Sequence, residues 1–228
     1  MKNKIILIIL SICVSPFVFS QHDCNMYYPL KDGATFQITT YDKKDKATSV
    51  LDYKVLNVSD TPDGKVGTIH GVVKDKKGKM VTEMEYKVRC KDNKISVDFN
   101  SLMSPQMLEQ FKDMEIDVTG TNLDWPNDLR AGQTLPDANM KMKISMAGMN
   151  MNFSIDITDR KVIGAESVTT PAGTFDCMVI TFDTQVNMGI KQTTSSKQWV
   201  SKDVGMVKQE DYKNGKIIDT SLLTAFSI

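Results

Sequence analysis

"MKMKISMAGMNMNFSIDI", residues 140 to 157, is the stretch whose reading decides the fold. If Ala147 and Gly148 form a two-residue turn, the numbers of paired residues sum to 295. Met146 then faces Met149, Ile144 faces Met151, Met142 faces Phe153 and Met140 faces Ile155, while Lys141, Lys143 and Ser145 face Ser154, Asn152 and Asn150. Every apolar residue falls on one face. A loop one residue longer would set Ile144 against Asn150, and because side chains alternate with period two, such a slip turns a whole strand over. The loop is therefore even, and a four-residue loop would keep the same sum. The stretch reads as an antiparallel hairpin with one buried face.

Its methionines admit three readings. Buried sheet face is the simplest. Met is also unbranched and polarizable, so it suits surfaces that accept apolar ligands of varied shape. Eight of the fifteen methionines lie between Met103 and Met151, which points to such a surface. Thioethers also suit cuprous copper. Met146 and Met149 could present two sulfurs, but a third ligand would have to come from His22 or His70, both distant in sequence, so copper is the minor alternative.

Working outward, the same alternation recurs from Ala34 onward, punctuated by "YDKKDK" (41–46), "TPDGK" (61–65), "DKKGK" (75–79), "KDNK" (91–94), "TPAG" (170–173) and "KNGK" (213–216). Strands are expected at 34–41, 47–58, 66–74, 80–91, 94–99, 115–120, 139–147, 149–158, 161–169, 174–187, 190–201, 205–212 and 217–226. So long an antiparallel meander has to curl into a barrel, a half-barrel or a sandwich. The fold class is mainly β. One segment departs from period two: in "SPQMLEQFKDM" (104–114), Ser104 is placed to cap a helix with Pro105 in its first turn. Met107, Leu108, Phe111 and Met114 would form its apolar stripe. A short amphipathic helix is expected there, lying on the sheet or across its mouth. Residues 121–138 read as a long irregular connection, a lid or a crossover.

The opening, "MKNKIILIILSICVSPFVFSQHDC", has the form of a secretory leader: Lys2 and Lys4, an apolar run, then Ser20 before Gln21. Cleavage after Ser20 is expected, leaving one β domain over 21–228 in the periplasm or outer envelope, or secreted, with no membrane segment. Cys24, Cys90 and Cys177 would then meet an oxidising compartment. Cys90 and Cys177 sit at inward-facing strand positions, whereas Cys24 lies on the N-terminal lead, where a bond to the sheet gains most. The expected disulfide is Cys24 with Cys90. The chain has 28 basic and 28 acidic residues and no basic stripe, which argues against nucleic-acid binding. No nucleophile elbow, zinc-protease motif, phosphate loop or paired-cysteine motif occurs, and His70 stands in an ordinary strand, "VGTIHGVV". The expectation is a non-enzymatic protein without cofactor or metal.

Four phrases, "YYPLKDGATFQITTYDKKDKA" (27–47), "VKDKKGKM" (73–80), "DRKVIGAESVTTPAGTFDCMVI" (159–180) and "KQWVSKDVGMVKQEDYKNGK" (197–216), together resemble the TapB-like, DUF3108-like group of exported bacterial envelope proteins. The resemblance spans nearly the whole chain after the leader. It implies a curved antiparallel sheet like that of lipoprotein carriers, with a helix over its concave side. It also implies that Pro171 and Gly173 shape a tight turn, that Phe175 enters the core beside Trp199, and that Val204 and Gly205 form a turn into the last hairpin. Val200 stands where the group commonly has an aromatic. No catalytic activity follows from the resemblance, while the group's name points to a tetratricopeptide-repeat partner.

The resulting expectation is an apolar ligand, lipid or partner protein bound by Met107, Leu108, Phe111, Met140, Met142, Ile144, Met146, Met151 and Phe153. The competing reading is a structural or scaffolding envelope protein with a filled core.

Overall fold

Thirteen strands follow one another in the computed structural model, which describes residues 27–62, 64–98, 101, 115–146 and 149–228. They are β1 (Thr35–Asp42), β2 (Ala47–Thr61), β3 (Gly64–Asp75), β4 (Met80–Lys91), β5 (Lys94–Asp98), β6 (Glu115–Thr121), β7 (Leu123–Pro126), β8 (Ala138–Met146), β9 (Met149–Thr170), β10 (Gly173–Asn187), β11 (Lys191–Ser201), β12 (Gly205–Lys213) and β13 (Lys216–Ser227). All belong to one sheet of order β6-β8-β9-β10-β11-β12-β13-β1-β2-β3-β4-β5-β7.

That order fixes the shape. β6 and β7 stand at its opposite ends, yet only Asn122 separates them. In an unrolled sheet those edges would lie about 58 Å apart at about 4.8 Å per strand, whereas one intervening residue spans only about 7 Å. The sheet must therefore roll until its edges meet. Every neighbouring pair is antiparallel, so β6 and β7 run the same way. The segment 115–126 is in effect one stave, pairing with β8 through its first part and with β5 through its last. The result is a nearly closed antiparallel barrel.

Because the meander alternates direction, the connections at 43–46, 76–79, 188–190 and 214–215, and the one between β8 and β9, lie at one end, here called the mouth. The other end is the floor, blocked by segments 27–34 and 127–137. Leu30 packs with Ile69, Tyr86, Val88, Cys90 and Ile95, while Tyr27, Leu129 and Leu135 pack with Val162, Ile180 and Val200. The second segment is laced to β9: Gly132 N–H donates to Val162 O at 2.7 Å, Leu135 N–H to Arg160 O at 2.8 Å, and Val162 N–H to Gln133 O at 2.9 Å. Arg160 is buried against this lacing, its guanidinium 5.5 Å from the Trp125 ring centroid and donating to Pro136 O at 2.6 Å. Burial lowers its pKa to about 10, so it keeps its charge at neutral pH.

The hairpin register is the one expected, with Met146 against Met149, Ile144 against Met151, Met142 against Phe153 and Met140 against Ile155. Three expectations need correction. The break expected between 158 and 161 is a bulge inside a single 22-residue strand: Asp159 takes φ 54° and the β10 register shifts opposite it. Residues 123–126, read as loop, form β7 and pair with β5. The amphipathic helix drops out of the fold class: the described residues contain no α-helix, and 104–114 lies outside them. The barrel needs no helix to close, because the strand segment 115–126 takes the place between β5 and β8.

Candidate functional site in the barrel lumen

Alternation places Phe36, Ile38 and Thr40 of β1, Leu51 and Tyr53 of β2, Met84 and Tyr86 of β4, Val97 of β5 and Trp125 of β7 on the inner face. With Tyr28, Met206, Gln209 and Ser221 they line a cavity of about 370 Å³. Phe36 and Tyr53 are direct cross-strand partners and stack at 4.7 Å between centroids. Tyr28 meets Phe36 edge-on at 6.1 Å, and Tyr86 meets Tyr53 edge-on at 6.4 Å. These are favourable aromatic geometries. Gly71 lies between Tyr53 and Met84 in the register, and a Cβ there would come within 3.0 Å of the Tyr53 ring and 3.2 Å of Met84. The missing side chain is what admits the ring to the lumen.

The Tyr28 and Tyr86 hydroxyls share a hydrogen bond of 2.6 Å deep in this wall. Burial raises both pKa values, and raises that of Tyr53 to about 12, so all three remain neutral phenols. Toward the mouth the lining becomes polar. Thr40 and Ser221 are cross-strand partners with their hydroxyls 2.9 Å apart, and Gln198 donates to Gln209 at 2.8 Å. One row further out, Asp42, Asp219 and Asp211 are successive cross-strand partners. Burial and the charges of Asp211 and Asp42 raise the Asp219 pKa. The lumen thus grades from an aromatic interior to a mouth rich in hydrogen-bonding groups.

Met140, Met142, Ile144 and Phe153 are half-buried on the lumen-facing side of β8 and β9, and Met151 is exposed near the mouth. The side chain of Met146 and the residues Met107, Leu108 and Phe111 lie outside the described residues. Sequence reasoning singled out the β8–β9 side of the lumen and did not single out the aromatic wall. The available signal was Phe36 and Tyr53, each at an inward position of consecutive strands.

The remaining singled-out residues sit elsewhere. Pro171 and Ala172 form the turn between the paired residues Thr170 and Gly173, where Gly173 takes φ 137°. Phe175 and Trp199 share an apolar cluster with Cys177, Val179 and Val207 on the opposite, outer face of the sheet. There the Trp199 indole donates to Glu166 at 2.7 Å and lies under Lys197 and Lys208, at 4.5 and 4.6 Å. Gly205 takes φ 90° and lies against Pro29 and the Tyr27 carbonyl. Cys90 is disulfide-bonded, and Cys177 is a buried free thiol whose pKa burial raises to about 11. His70 faces outward, 3.4 Å from Glu83.

The DUF3108-like family model matches residues 31–223. Among solved structures, a presumed exported protein with a YmcC-like fold from Bacteroides fragilis NCTC 9343 superposes with a TM-score of 0.72 at 20% identity, over 90% of this chain and 100% of that one. A presumed lipoprotein from Parabacteroides distasonis ATCC 8503 superposes with a TM-score of 0.71 at 25% identity over the same shares. No curated protein matches the chain.

Proposed function

This chain belongs to the DUF3108-like family, and on that premise we propose that it is an exported, non-catalytic cell-envelope protein that holds an apolar small molecule in its barrel lumen. The single observation that carries the reading is the aromatic cavity. Its volume of about 370 Å³ falls within the usual size range of small-molecule sites, and its lining has the usual character of one, mostly apolar with a few polar groups. The methionine wing of β8 and β9 supports the reading, since thioether side chains repack around ligands of varied shape. Export is supported by the leader-like opening and by relatives described as exported protein and lipoprotein.

The test is titration with an apolar naphthylamine probe, read by energy transfer from Trp125. Uptake is expected; Met84→Phe, which narrows the cavity, weakens it, and Leu56→Ser on the exterior leaves it unchanged. Absence of uptake by the unaltered protein removes the carrier reading. The second reading is a scaffold for an envelope partner such as a tetratricopeptide-repeat protein. It is favoured by the solid packing toward the floor, where Val55, Ile69, Val88 and Ile95 are fully buried. Native mass spectrometry of protein recovered from its own envelope separates the two: a retained small molecule supports the carrier, and a retained protein supports the scaffold.

A further inference from the structure

The turns at the mouth differ in chemistry from the rest of the molecule. Two of them read KKDK (43–46) and KKGK (76–79), while Lys191, Lys213 and Lys216 flank the turns at 188–190 and 214–215. Together with Asp42 and Asp75 at their bases, and with Asp211 and Asp219 in the row beside Asp42, these turns set nine lysines against five aspartates, a net of +4, in a chain whose overall charge is 0. The two basal aspartates are engaged as turn caps. Asp42 Oδ1 accepts the Lys44 and Lys46 amides at 2.8 and 3.0 Å, and Asp75 Oδ1 those of Lys77 and Lys79 at 2.8 and 2.9 Å. Among the described residues none of the nine lysines forms an ion pair.

The same end concentrates exposed apolar side chains. Nine large ones are exposed among the described residues, and six of these, Met80, Val81, Met151, Met188, Ile190 and Ile217, at 41 to 76% exposure, lie on or close to mouth-end turns. Met188 and Ile190 flank Gly189, so the β10–β11 hairpin ends in two apolar side chains that touch no core.

We propose that the mouth end of the barrel docks on a lipid bilayer bearing anionic headgroups. Met188 and Ile190 enter the interfacial layer, and the lysine turns rest on the phosphates around them. Basic clusters gain affinity from the surface potential of acidic lipids, and exposed apolar tips gain it by insertion. The composition favours lipid over a protein partner. Protein interfaces concentrate Trp, Tyr and Arg and are depleted in Lys, whereas two of the four turns consist mainly of Lys, the other two are flanked by it, and none of the four contains Trp, Tyr or Arg. Docked in this way, the polar mouth of the lumen faces the membrane.

The experiment is co-sedimentation of the chain recovered after export with vesicles of phosphatidylcholine, with and without phosphatidylglycerol. Binding to the phosphatidylglycerol vesicles is expected to be at least about ten-fold tighter and to weaken as salt is raised. Lys76→Glu with Lys77→Glu reduces it about ten-fold. Met188→Ser with Ile190→Ser also reduces it, with no change in melting temperature because both side chains are exposed, and Leu56→Ser leaves it unchanged. Equal affinity for the two vesicle types, no binding to either, or full binding by both double variants overturns the proposal. So does capture of an acidic protein partner without vesicle preference. Probe uptake is read separately: vesicle binding without uptake leaves this proposal standing and removes the carrier reading, and uptake without vesicle binding does the reverse.

Discussion

Tyr28 and Tyr86 place two hydroxyls in the aromatic wall, and each serves as the other's partner. Tyr86→Phe strands the Tyr28 hydroxyl and Tyr28→Phe strands that of Tyr86, so each single change is expected to cost about 1–3 kcal/mol in urea unfolding. The double variant should cost clearly less than the sum, and strict additivity would show that the two groups are not coupled. Asp219 presents the opposite case. Its pKa is raised by burial and by the neighbouring Asp211 and Asp42, so the folded protein binds this proton more tightly than the unfolded chain. The stability contributed by that proton is present in acid and is lost as pH rises through the folded value. Asp219→Asn should therefore raise the melting temperature at neutral pH, by about 1–2 °C for a partly solvated repulsion. The gain should vanish in acid; an equal gain at both pH values would mean that the charge is not its source.

At the scale of the hairpin, parity was decisive in the sequence, because one face of β8 and β9 is apolar and the other is lysine, asparagine and serine. Met142 lies half-buried toward the lumen and Lys143 is exposed on the other side. Met142→Lys is expected to weaken uptake of the apolar probe and to lower the melting temperature, since it puts a charge on an apolar face. Lys143→Met should leave uptake unchanged; equal effects of the two on uptake would sink the assignment of faces. Other elements were less legible. β7 is four residues ending in Pro126, too short to show a period, and its partner β5 ends 25 residues earlier in the chain, at Asp98 against Leu123. The bulge at Asp159 interrupts alternation without ending the strand. The aromatic wall was hidden for a different reason. Tyr28, Tyr53 and Tyr86 come from segments far apart in sequence, and only the rolled sheet brings them together.

For the molecule as a whole, the disulfide at Cys90 bears on how the floor is held. Cys90 is fully buried beside Ile95 and Leu30, and because Cys177 is free, the bond does not join those two. Cys24 is the proposed partner, which would tie the N-terminal lead to the barrel across a separation of 66 residues. Peptide mapping under non-reducing conditions should recover Cys24 and Cys90 in one species, and a Cys13 linkage instead would overturn the pairing. The barrel wall imposes a longer span. β1 pairs with β13, with Thr35 opposite Ser227, so the first strand cannot gain its second neighbour until the last has been delivered. Local hairpins close quickly, whereas a contact over such a distance forms late. A chain secreted from its N-terminus onward would therefore emerge with one edge of β1 bare for almost the whole passage, and bare edges invite pairing with other chains. A slower passage would thus lengthen the time for which that edge of β1 stands open to other chains.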